Sequence, residues 1–181
     1  MPDISTPDGM VRRMSGADLG RVLAWRNHPR VRALMYTQHE IALEEHTRWF
    51  ERSNSDPNRH LLVYEEDGIP SGFVNFAIVS AERNALWGFY AAPEAPKGTG
   101  RRMGRAALAY GFDQAGFDKI SGEALAHNEK SIRYHLSLGF MQEGELKRQL
   151  FDGGMCHDIV CLGLLESEWR RQQVNTSLDC A

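Results

Sequence analysis

The chain has few cysteines and no long apolar run. Its three cysteines, Cys156, Cys161 and Cys180, are an odd number without a spaced framework, which argues for a reducing compartment. There is no run of about 18 apolar residues, so no membrane span is expected. The polar N-terminus contains two prolines and lacks the apolar centre of a secretory signal. From these absences we expect a cytoplasmic protein.

An excess of one charge sign is also lacking. The net charge is −3 over 181 residues, which gives no electrostatic reason to expect nucleic-acid binding. No cluster with metal-ligand spacing occurs, so no metal is expected. The length favours one domain. We expect it to span residues 10–173, between a flexible leader at 1–9 and a flexible tail at 174–181.

Hydrophobic periodicity and turn residues predict a mixed α/β (α+β) chain built on one central sheet. Asp67-Gly68 predicts a hairpin turn, and Pro29 is expected to end the first helix. Strands are expected at residues 11–14, 60–65, 72–79, 85–91, 119–125, 141–151 and 155–164. Helices are expected at 16–27, 44–52, 101–115 and 128–138, with a short last one at 166–173.

The stretch Pro96-Lys97-Gly98-Thr99-Gly100-Arg101-Arg102-Met103-Gly104 joins a strand to a helix. Two glycines permit backbone angles that point successive N–H groups the same way. The helix that follows adds its unpaired N–H groups and its positive dipole end. Four cations lie within nine residues: Lys97, Arg101, Arg102 and Arg105. A pyrophosphate suits this turn, and a glycine-rich connector with a solvated basic face is the alternative.

Two common phosphate loops are excluded by their spacing. A Walker loop has its lysine after the last glycine, whereas Lys97 precedes the glycines here. A Rossmann fingerprint needs G-x-G-x-x-G early in a βαβ unit. The spacing Gly98-x-Gly100-x-x-x-Gly104 misses the third glycine, and three antiparallel strands are expected before it.

The turn resembles the coenzyme A loop of the GCN5-related N-acetyltransferase (GNAT) family. That loop has Arg or Gln, two residues, Gly, one residue, and then Gly or Ala. Lys97-x-x-Gly100-x-Arg102 matches the first two marks, the first conservatively, and departs at Arg102. The run Asn128-x-x-Ser131-Ile132…Leu138-Gly139-Phe140 resembles the family's next motif, and it starts 28 residues after Gly100.

The resemblance implies a GNAT-like acyl-CoA N-acyltransferase fold, with a central, mostly antiparallel sheet flanked by helices. It implies acetyl-CoA as co-substrate and no metal. An amine would attack the thioester directly in a ternary complex, so no side-chain nucleophile is needed. The coenzyme-binding residues expected are Lys97, Gly98, Thr99, Gly100, Arg101, Arg102, Asn128 and Ser131.

The same resemblance implies acid and base groups. The family's general acid is usually a tyrosine seven residues after the asparagine, a position that His135 occupies here beside Tyr134. Adjacent helical residues differ by about 100° in direction, so we expect one of them to face the sulfur, His135 first and Tyr134 as the alternative. Glu123 is the expected base, either turned to solvent or held in a cleft with a raised pKa. Asn75 would hold a water for it or form a cross-strand hydrogen bond.

The N-terminal third resembles one branch of the family, through Trp25-Arg26-Asn27-His28 and the segment that follows. That branch acetylates the 4-amino group of UDP-4-amino-4,6-dideoxy-N-acetyl-β-L-altrosamine in pseudaminic acid biosynthesis. The resemblance implies that Arg26 and His46 face a diphosphate. It implies an apolar and aromatic wall made of Met35, Tyr36, Trp49, Trp87 and Phe89. Ordinary packing is the alternative for each of these side chains.

Two other functions remain open at the level of sequence. One is a protein N-terminal acetyltransferase of the ribosomal-protein alanine type, which shares a similar N-terminal helix. The other is a non-catalytic coenzyme A-binding module. In the preferred interpretation the partner is a small UDP-amino-sugar, with no nucleic acid and no membrane, and the protein is a monomer or homodimer.

Overall fold

The structure is a computed structural model, and it describes residues 4–6, 8–81 and 83–178. Eight strands and six α-helices occur in these residues. The strands are β1 (Ile4–Thr6), β2 (Gly9–Arg13), β3 (Arg59–Glu66), β4 (Ile69–Ile78), β5 (Asn84–Ala91), β6 (Lys119–Leu125), β7 (Met141–Phe151) and β8 (Cys156–Leu165). The helices are α1 (Leu19–Asn27), α2 (Pro29–Arg32), α3 (Leu43–Ser55), α4 (Thr99–Ala109), α5 (Glu129–Ser137) and α6 (Glu166–Leu178).

The strands are hydrogen-bonded in the order β1-β2-β3-β4-β5-β6-β8-β7. β5 and β6 run parallel, whereas β1 with β2, β2 with β3, β3 with β4, β6 with β8 and β7 with β8 run antiparallel. The predicted class, a mixed α/β fold with a mostly antiparallel sheet and flanking helices, is confirmed. α4 ends six residues before the predicted end, because the chain continues as a π-helical turn, Tyr110–Gln114.

Both predicted chain ends contain regular structure. Within the expected leader, β1 pairs with β2, with Ile4 opposite Val11. Such pairing depends on backbone groups, so the polar composition gave no signal for it. α6 continues to Leu178, into the expected tail, because no glycine or proline interrupts it. Residues 1–3, 7 and 179–181 of the predicted leader and tail lie outside the described residues.

The chain divides into two compact units, which are described separately. Unit 1 comprises the described residues up to Ile78 together with Trp87–Tyr110. Unit 2 comprises Val79–Leu86 and the described residues from Gly111 onward. β5 therefore contributes residues 84–86 to unit 2 and residues 87–91 to unit 1. A single domain over residues 10–173 stays a prediction.

One face of the unit 1 strands carries the packing of α1 and α3. Val22 and Trp25 of α1 are buried against Leu61, Val63 and Phe73 of the sheet. Alternate residues of a strand point to opposite faces, so these sheet residues mark one side. Partly buried side chains complete this layer: Leu19, Trp49, Phe50, Tyr90 and Ala95.

The opposite face of the same strands carries α4. Met103 of α4 lies directly over Gly72 of β4, where a side chain on the glycine would collide with its sulfur. Phe76 of β4 stacks between two aromatic rings, with centroid distances of 6.3 Å to Trp87 and 6.4 Å to Tyr110. The start of α4, and so the predicted phosphate turn, is fixed by this second layer.

Unit 2 is built around β6. Ile120 of β6 pairs with Ala85 of β5 in parallel register, and Glu123 pairs with Cys161 of β8 in antiparallel register. Trp169 of α6 is buried and stacks on Phe112 at a centroid distance of 5.9 Å. β6 leads directly to α5, which carries the second predicted coenzyme motif.

Candidate active site

The predicted phosphate turn forms the start of α4. Gly98 has a φ of 92°, a left-handed conformation that favours glycine, and it is the residue immediately before the helix. The N–H groups of Arg101 and Arg102 donate to the Gly98 carbonyl at 3.0 and 3.2 Å. The buried Thr99 is the first helical residue, and its N–H donates to the Pro96 carbonyl at 3.2 Å. The local geometry of a glycine turn opening a helix is therefore present.

The four cations of this turn divide into two pairs. Arg102 donates from Nε to Glu66 of β3, and Arg105 donates from Nε to Asp8 Oδ2 at 2.7 Å. Lys97 and Arg101 are exposed, and neither forms an ion pair within the part of the chain that the structure describes. Arg102, where the family prefers a small residue, is thus turned to a carboxylate of its own chain.

The second coenzyme motif begins α5 in unit 2. Asn128 precedes the helix, and its side-chain oxygen accepts the Ser131 N–H at 3.1 Å, which is an ordinary N-cap. The Ser131 carbonyl accepts a hydrogen bond from Nδ1 of His135 at 2.8 Å. Asn128 and Ser131 therefore fix the first turns of α5, and their role toward coenzyme A stays a prediction.

The two candidates for the general acid differ sharply in environment. His135 is 1% exposed, and burial lowers its pKa, so the ring is neutral near pH 7. The Ser131 carbonyl can only accept, so Nδ1 carries the proton and Nε2 of the neutral ring is an acceptor. Tyr134 is partly exposed, and burial raises the pKa of its phenol, which therefore keeps its proton.

The two residues expected on the base side lie on strands. Glu123 of β6 is exposed, which corresponds to the first of the two predicted alternatives, a carboxylate turned to solvent. It pairs with Cys161 of the neighbouring strand β8. Burial raises the pKa of the Cys161 thiol, and the charges of Glu123 and Glu143 raise it further. Asn75 of β4 is half-buried, and its side-chain oxygen lies 2.7 Å from the position that a Cβ on Gly88 would take.

Three of the predicted acceptor residues come together in unit 1. His46 of α3 is 4% exposed and stacks on Trp49, with ring centroids 5.0 Å apart and planes at 19°. Burial lowers the pKa of His46, and the charge of Arg26 lowers it further. Arg26 donates from Nη2 to the Thr37 carbonyl at 2.8 Å. Nη1 of Arg26 and Nε2 of His46 are both buried without a hydrogen-bond partner among the described residues.

The predicted aromatic wall is split by the sheet. Trp87 and Phe89 contact each other at 4.7 Å on the α4 face, whereas Trp49 packs on the opposite face against Phe73. Alternation along β5 and β4 causes this separation, so one wall containing Trp49, Trp87 and Phe89 is wrong. Met35 and Tyr36 lie in the loop after α2, where Met35 is half-buried and Tyr36 is exposed.

Three residues that were not among the expected site residues contact those residues or the segments that carry them. Tyr90 of β5 lies near Arg26, and burial raises the pKa of its phenol, so it faces the guanidinium as a neutral hydroxyl. Asn27 holds the loop after α2, because its amide donates to the Ile41 carbonyl at 2.8 Å and accepts the Ile41 N–H at 2.9 Å. Glu66 at the end of β3 contacts the start of α4. In the sequence, the only indication of Glu66 was an acidic residue at the end of a predicted strand.

Within residues 4–6, 8–81 and 83–178, the structure has neither a group of metal-ligand side chains nor a membrane-spanning helix. Among these residues, no group of three or more His, Cys, Asp or Glu side chains is arranged to hold a metal ion. No helix in the same ranges has the length and apolar character needed to cross a membrane.

Residues 10–141 match the family model described as acetyltransferase (GNAT) domain. The chain belongs to the GNAT acetyltransferase family. It is therefore an N-acetyltransferase that uses acetyl-CoA as co-substrate. The sequence resemblance to this family, drawn from Lys97-x-x-Gly100 and from Asn128…Gly139-Phe140, is confirmed at the level of the family.

The chain is similar to acetyltransferases with different names. The chain is 28% identical to acetyltransferase PseH of Campylobacter jejuni over 123 residues, 67% of this chain and 76% of that protein. It is 25% identical to spermidine N(1)-acetyltransferase of Escherichia coli over 161 residues, 88% of this chain and 87% of that protein. The crystal structure of spermidine N-acetyltransferase from Vibrio cholerae, in complex with CoA and spermine, superimposes with a TM-score of 0.81 at 23% identity. That superposition covers 88% of this chain and 96% of the other, and it shows a shared fold.

Proposed function

We propose that the acceptor is an amine carried by an anionic small molecule, namely a UDP-linked 4-amino-dideoxy sugar such as UDP-4-amino-4,6-dideoxy-N-acetyl-β-L-altrosamine of pseudaminic acid biosynthesis. The observation that carries this proposal is a pair of buried nitrogens, Arg26 Nη1 and His46 Nε2, that have no hydrogen-bond partner in the part of the chain that the structure describes. Both belong to unit 1, on the face that α1 and α3 cover.

Arg26 is a cationic donor that its own chain satisfies only in part. Nη2 donates to the Thr37 carbonyl, and Nη1 lacks an acceptor among the described residues. Burial lowers the pKa of Arg26, which expresses the cost of keeping the charge away from water. Leaving a buried charged donor unpaired costs about 1–3 kcal/mol or more. An anionic oxygen is the ligand that best removes this cost.

His46 supplies a second nitrogen of suitable chemistry. Its ring is neutral near pH 7, because burial and the charge of Arg26 both lower its pKa. A neutral imidazole with the proton on Nε2 donates one hydrogen bond. One oxygen from each phosphate of a diphosphate would accept from Arg26 and from His46. The stacked indole of Trp49 holds the His46 ring in place.

The charges around these residues oppose a polyamine. Arg30 and Arg32 on α2 add cations close in sequence to Arg26. Two carboxylates of this region pair with an arginine of the same chain, Glu40 with Arg32 and Glu44 with Arg48. Glu45 contacts the His39 ring, and its charge also acts on Arg26 and His46. Spermidine carries several ammonium groups and would meet like charge here, since oppositely charged partners are what an interface selects.

In the proposed reaction, the amine of the UDP-linked sugar is the nucleophile and acetyl-CoA is the acetyl donor. The neutral amine attacks the thioester carbonyl of acetyl-CoA, the tetrahedral adduct expels the thiolate, and the amine nitrogen loses its proton. We assign protonation of the thiolate to Tyr134, whose partly exposed hydroxyl donates a proton and regains one from water, and not to His135, whose Nδ1 proton is held by the Ser131 carbonyl. Glu123 is exposed on β6 and takes the amine proton through water.

The charge of Arg26 is tested by a matched pair of variants on one helix. Arg26→Gln removes the half-buried cation, while Arg21→Gln removes an exposed one from the same helix. We expect Arg26→Gln to raise the KM for the UDP-amino-sugar at least about tenfold, since hydrogen bonds to charged groups contribute about 1.5–3 kcal/mol. The KM for acetyl-CoA should not change. A KM for the sugar that is the same in both variants would refute the proposal.

A further inference from the structure

One carboxylate of the sheet holds the first turn of α4. Glu66 is the last residue of β3 and precedes the Asp67-Gly68 hairpin turn. Its Oε1 accepts from Arg102 Nε, and its Oε2 accepts from the Thr99 hydroxyl at 3.0 Å. Thr99 and Arg102 are the first and fourth residues of α4. The phosphate turn is thus attached to β3 at two points one helical turn apart.

The carboxylate of Glu66 is itself held in place. The Tyr64 hydroxyl donates to Glu66 Oε1 at 2.8 Å, from the same side of β3. The bond from Arg102 is the largest cause that lowers the pKa of Glu66, so the group is ionised near pH 7. Thr99 is 1% exposed, which leaves its side chain little freedom to move. Four side chains therefore form one hydrogen-bonded group, the Glu66 clamp: Glu66, Thr99, Arg102 and Tyr64.

The clamp determines where the guanidinium of Arg102 lies. It extends over Gly98, where an added Cβ would lie 2.7 Å from Arg102 Nη1. Arg102 Nη2 also lies 3.3 Å from the Thr99 hydroxyl, to which it donates. This cation is therefore directed to the sheet side of the turn, while Lys97 and Arg101 are exposed.

We propose that Glu66 is a positioning residue for coenzyme A. By holding Thr99 and Arg102, it fixes the turn so that Lys97, Arg101 and the backbone N–H groups receive the pyrophosphate. Arg102 acts through its bond to Glu66 and does not contact phosphate. The inference rests on the assignment of this turn to the pyrophosphate, and it does not depend on which amine is acetylated.

Calorimetric binding of CoA and of pantetheine, which lacks the pyrophosphate, tests this role without any acceptor. Glu66→Gln keeps the shape of the side chain and removes its charge. We expect it to raise the Kd of CoA about tenfold and to leave the Kd of pantetheine unchanged. Glu44→Gln, which breaks only an exposed pair with Arg48, is the matched control and should leave both values unchanged.

The role of Arg102 is tested in the same assay. Arg102→Gln should raise the Kd of CoA as Glu66→Gln does. The Kd of the double variant should not exceed that of the weaker-binding single variant, because both substitutions break the same contact. If Arg102 instead binds phosphate, Glu66→Gln would release it and tighten CoA, which overturns the proposal. Equal weakening of CoA and pantetheine would also overturn it, since the effect would then concern the fold alone.

The same titrations distinguish a failure of the proposed role of Glu66 from a failure of the assignment of this turn to the pyrophosphate. A wild-type protein that binds CoA no more tightly than pantetheine would show that the turn does not hold the pyrophosphate. If the wild type binds CoA more tightly than pantetheine, and Glu66→Gln binds CoA as tightly as the wild type does, only the role of Glu66 is excluded. Thermal unfolding of each variant accompanies the titrations, and Arg102→Gln tests the same contact should Glu66→Gln fail to fold.

Discussion

Tyr134 and His135 are neighbours on α5, with ring centroids 5.9 Å apart and ring planes at 84°, and only His135 is fully buried. The difference follows from the rotation of about 100° between adjacent helical residues. His135 also contacts Phe140 edge-on, at a centroid distance of 5.1 Å, just after the Gly139 turn. The histidine is therefore part of the packing of α5, and the tyrosine is its partly exposed neighbour.

Substitution at these two positions distinguishes the acid from the packing residue. We expect Tyr134→Phe to lower kcat about a hundredfold, in the range of general acid catalysis, with an unchanged KM for acetyl-CoA. His135→Asn keeps a donor for the Ser131 carbonyl and should retain kcat within a few-fold. Steady-state rates at saturating acetyl-CoA measure both. Loss of turnover in His135→Asn, with full turnover in Tyr134→Phe, would reverse the assignment.

The buried neutral histidines predict a loss of stability in acid. Burial lowers the pKa of His46 and of His135 below the value of about 6.5 in the unfolded chain. The unfolded state therefore binds more protons below that pH. Their contribution to stability is fully present above about pH 6.5 and falls as the pH drops toward the folded pKa values.

Urea unfolding at pH 7.5 and pH 5.5 measures this loss. Each histidine contributes a slope of at most about 1.4 kcal/mol per pH unit in that window. His135→Asn should reduce the difference between the two pH values, because Asn does not titrate. Equal pH dependence in the wild type and in this variant would contradict the assignment of a lowered pKa to His135.

Gly98 is predicted to be required for two separable reasons. A side chain there meets the φ of 92°, which costs about 1–2 kcal/mol in a left-handed conformation, and it also collides with Arg102. Gly98→Ala should therefore cost more free energy of unfolding in the wild type than in an Arg102→Ala background. Chemical denaturation of the four proteins gives the difference. Equal costs in both backgrounds would exclude the collision.

Gly20→Ala is the control for this experiment. Gly20 lies inside α1, and nothing lies within 4 Å of an added Cβ. Alanine in a helix interior is more stable than glycine by about 0.5–1 kcal/mol. The control should thus stabilise the protein while Gly98→Ala destabilises it.

Trp87 is predicted to stabilise the fold without contacting the acceptor. It is buried and stacked on Phe76 on the α4 face of the sheet. Trp87→Ala should cost about 3–5 kcal/mol of stability. Trp87→Phe should keep the KM for the acceptor, whereas Trp49→Leu should raise it, because Trp49 supports the His46 ring. An acceptor KM that responds to Trp87→Phe and not to Trp49→Leu would contradict this arrangement.

Local signals in the sequence located the phosphate turn, the strands from β2 onward and the helices other than α2, whereas β1 gave no signal. Gly98 marked the left-handed residue before α4, and Asp67-Gly68 marked the hairpin, where both residues have positive φ. Pro29 marked the end of α1 and became the first residue of α2. These features depend on the conformational preferences of single residues, which neighbours in the chain do not override.

The partners of the site residues could not be predicted, because they depend on contacts distant in sequence. Glu66 and Arg102 are 36 residues apart, and no local pattern links them. Trp87 of β5 and Trp49 of α3 lie on opposite faces of the sheet, which follows only from the sheet order and from the face on which α3 packs. The sequence indicated that His135 and Tyr134 would differ in direction, but it held no information on which one is buried.

Competition between acceptors determines which amine this protein acetylates. The UDP-4-amino sugar, spermidine and a peptide with a free N-terminal alanine are incubated together with the protein and acetyl-CoA, and the products are resolved by mass spectrometry. Arg26 Nη1 and His46 Nε2, which are buried and lack a partner within residues 4–6, 8–81 and 83–178, predict that only the nucleotide sugar gains an acetyl group. Acetylation of spermidine or of the peptide, with the sugar unchanged, would contradict the proposal.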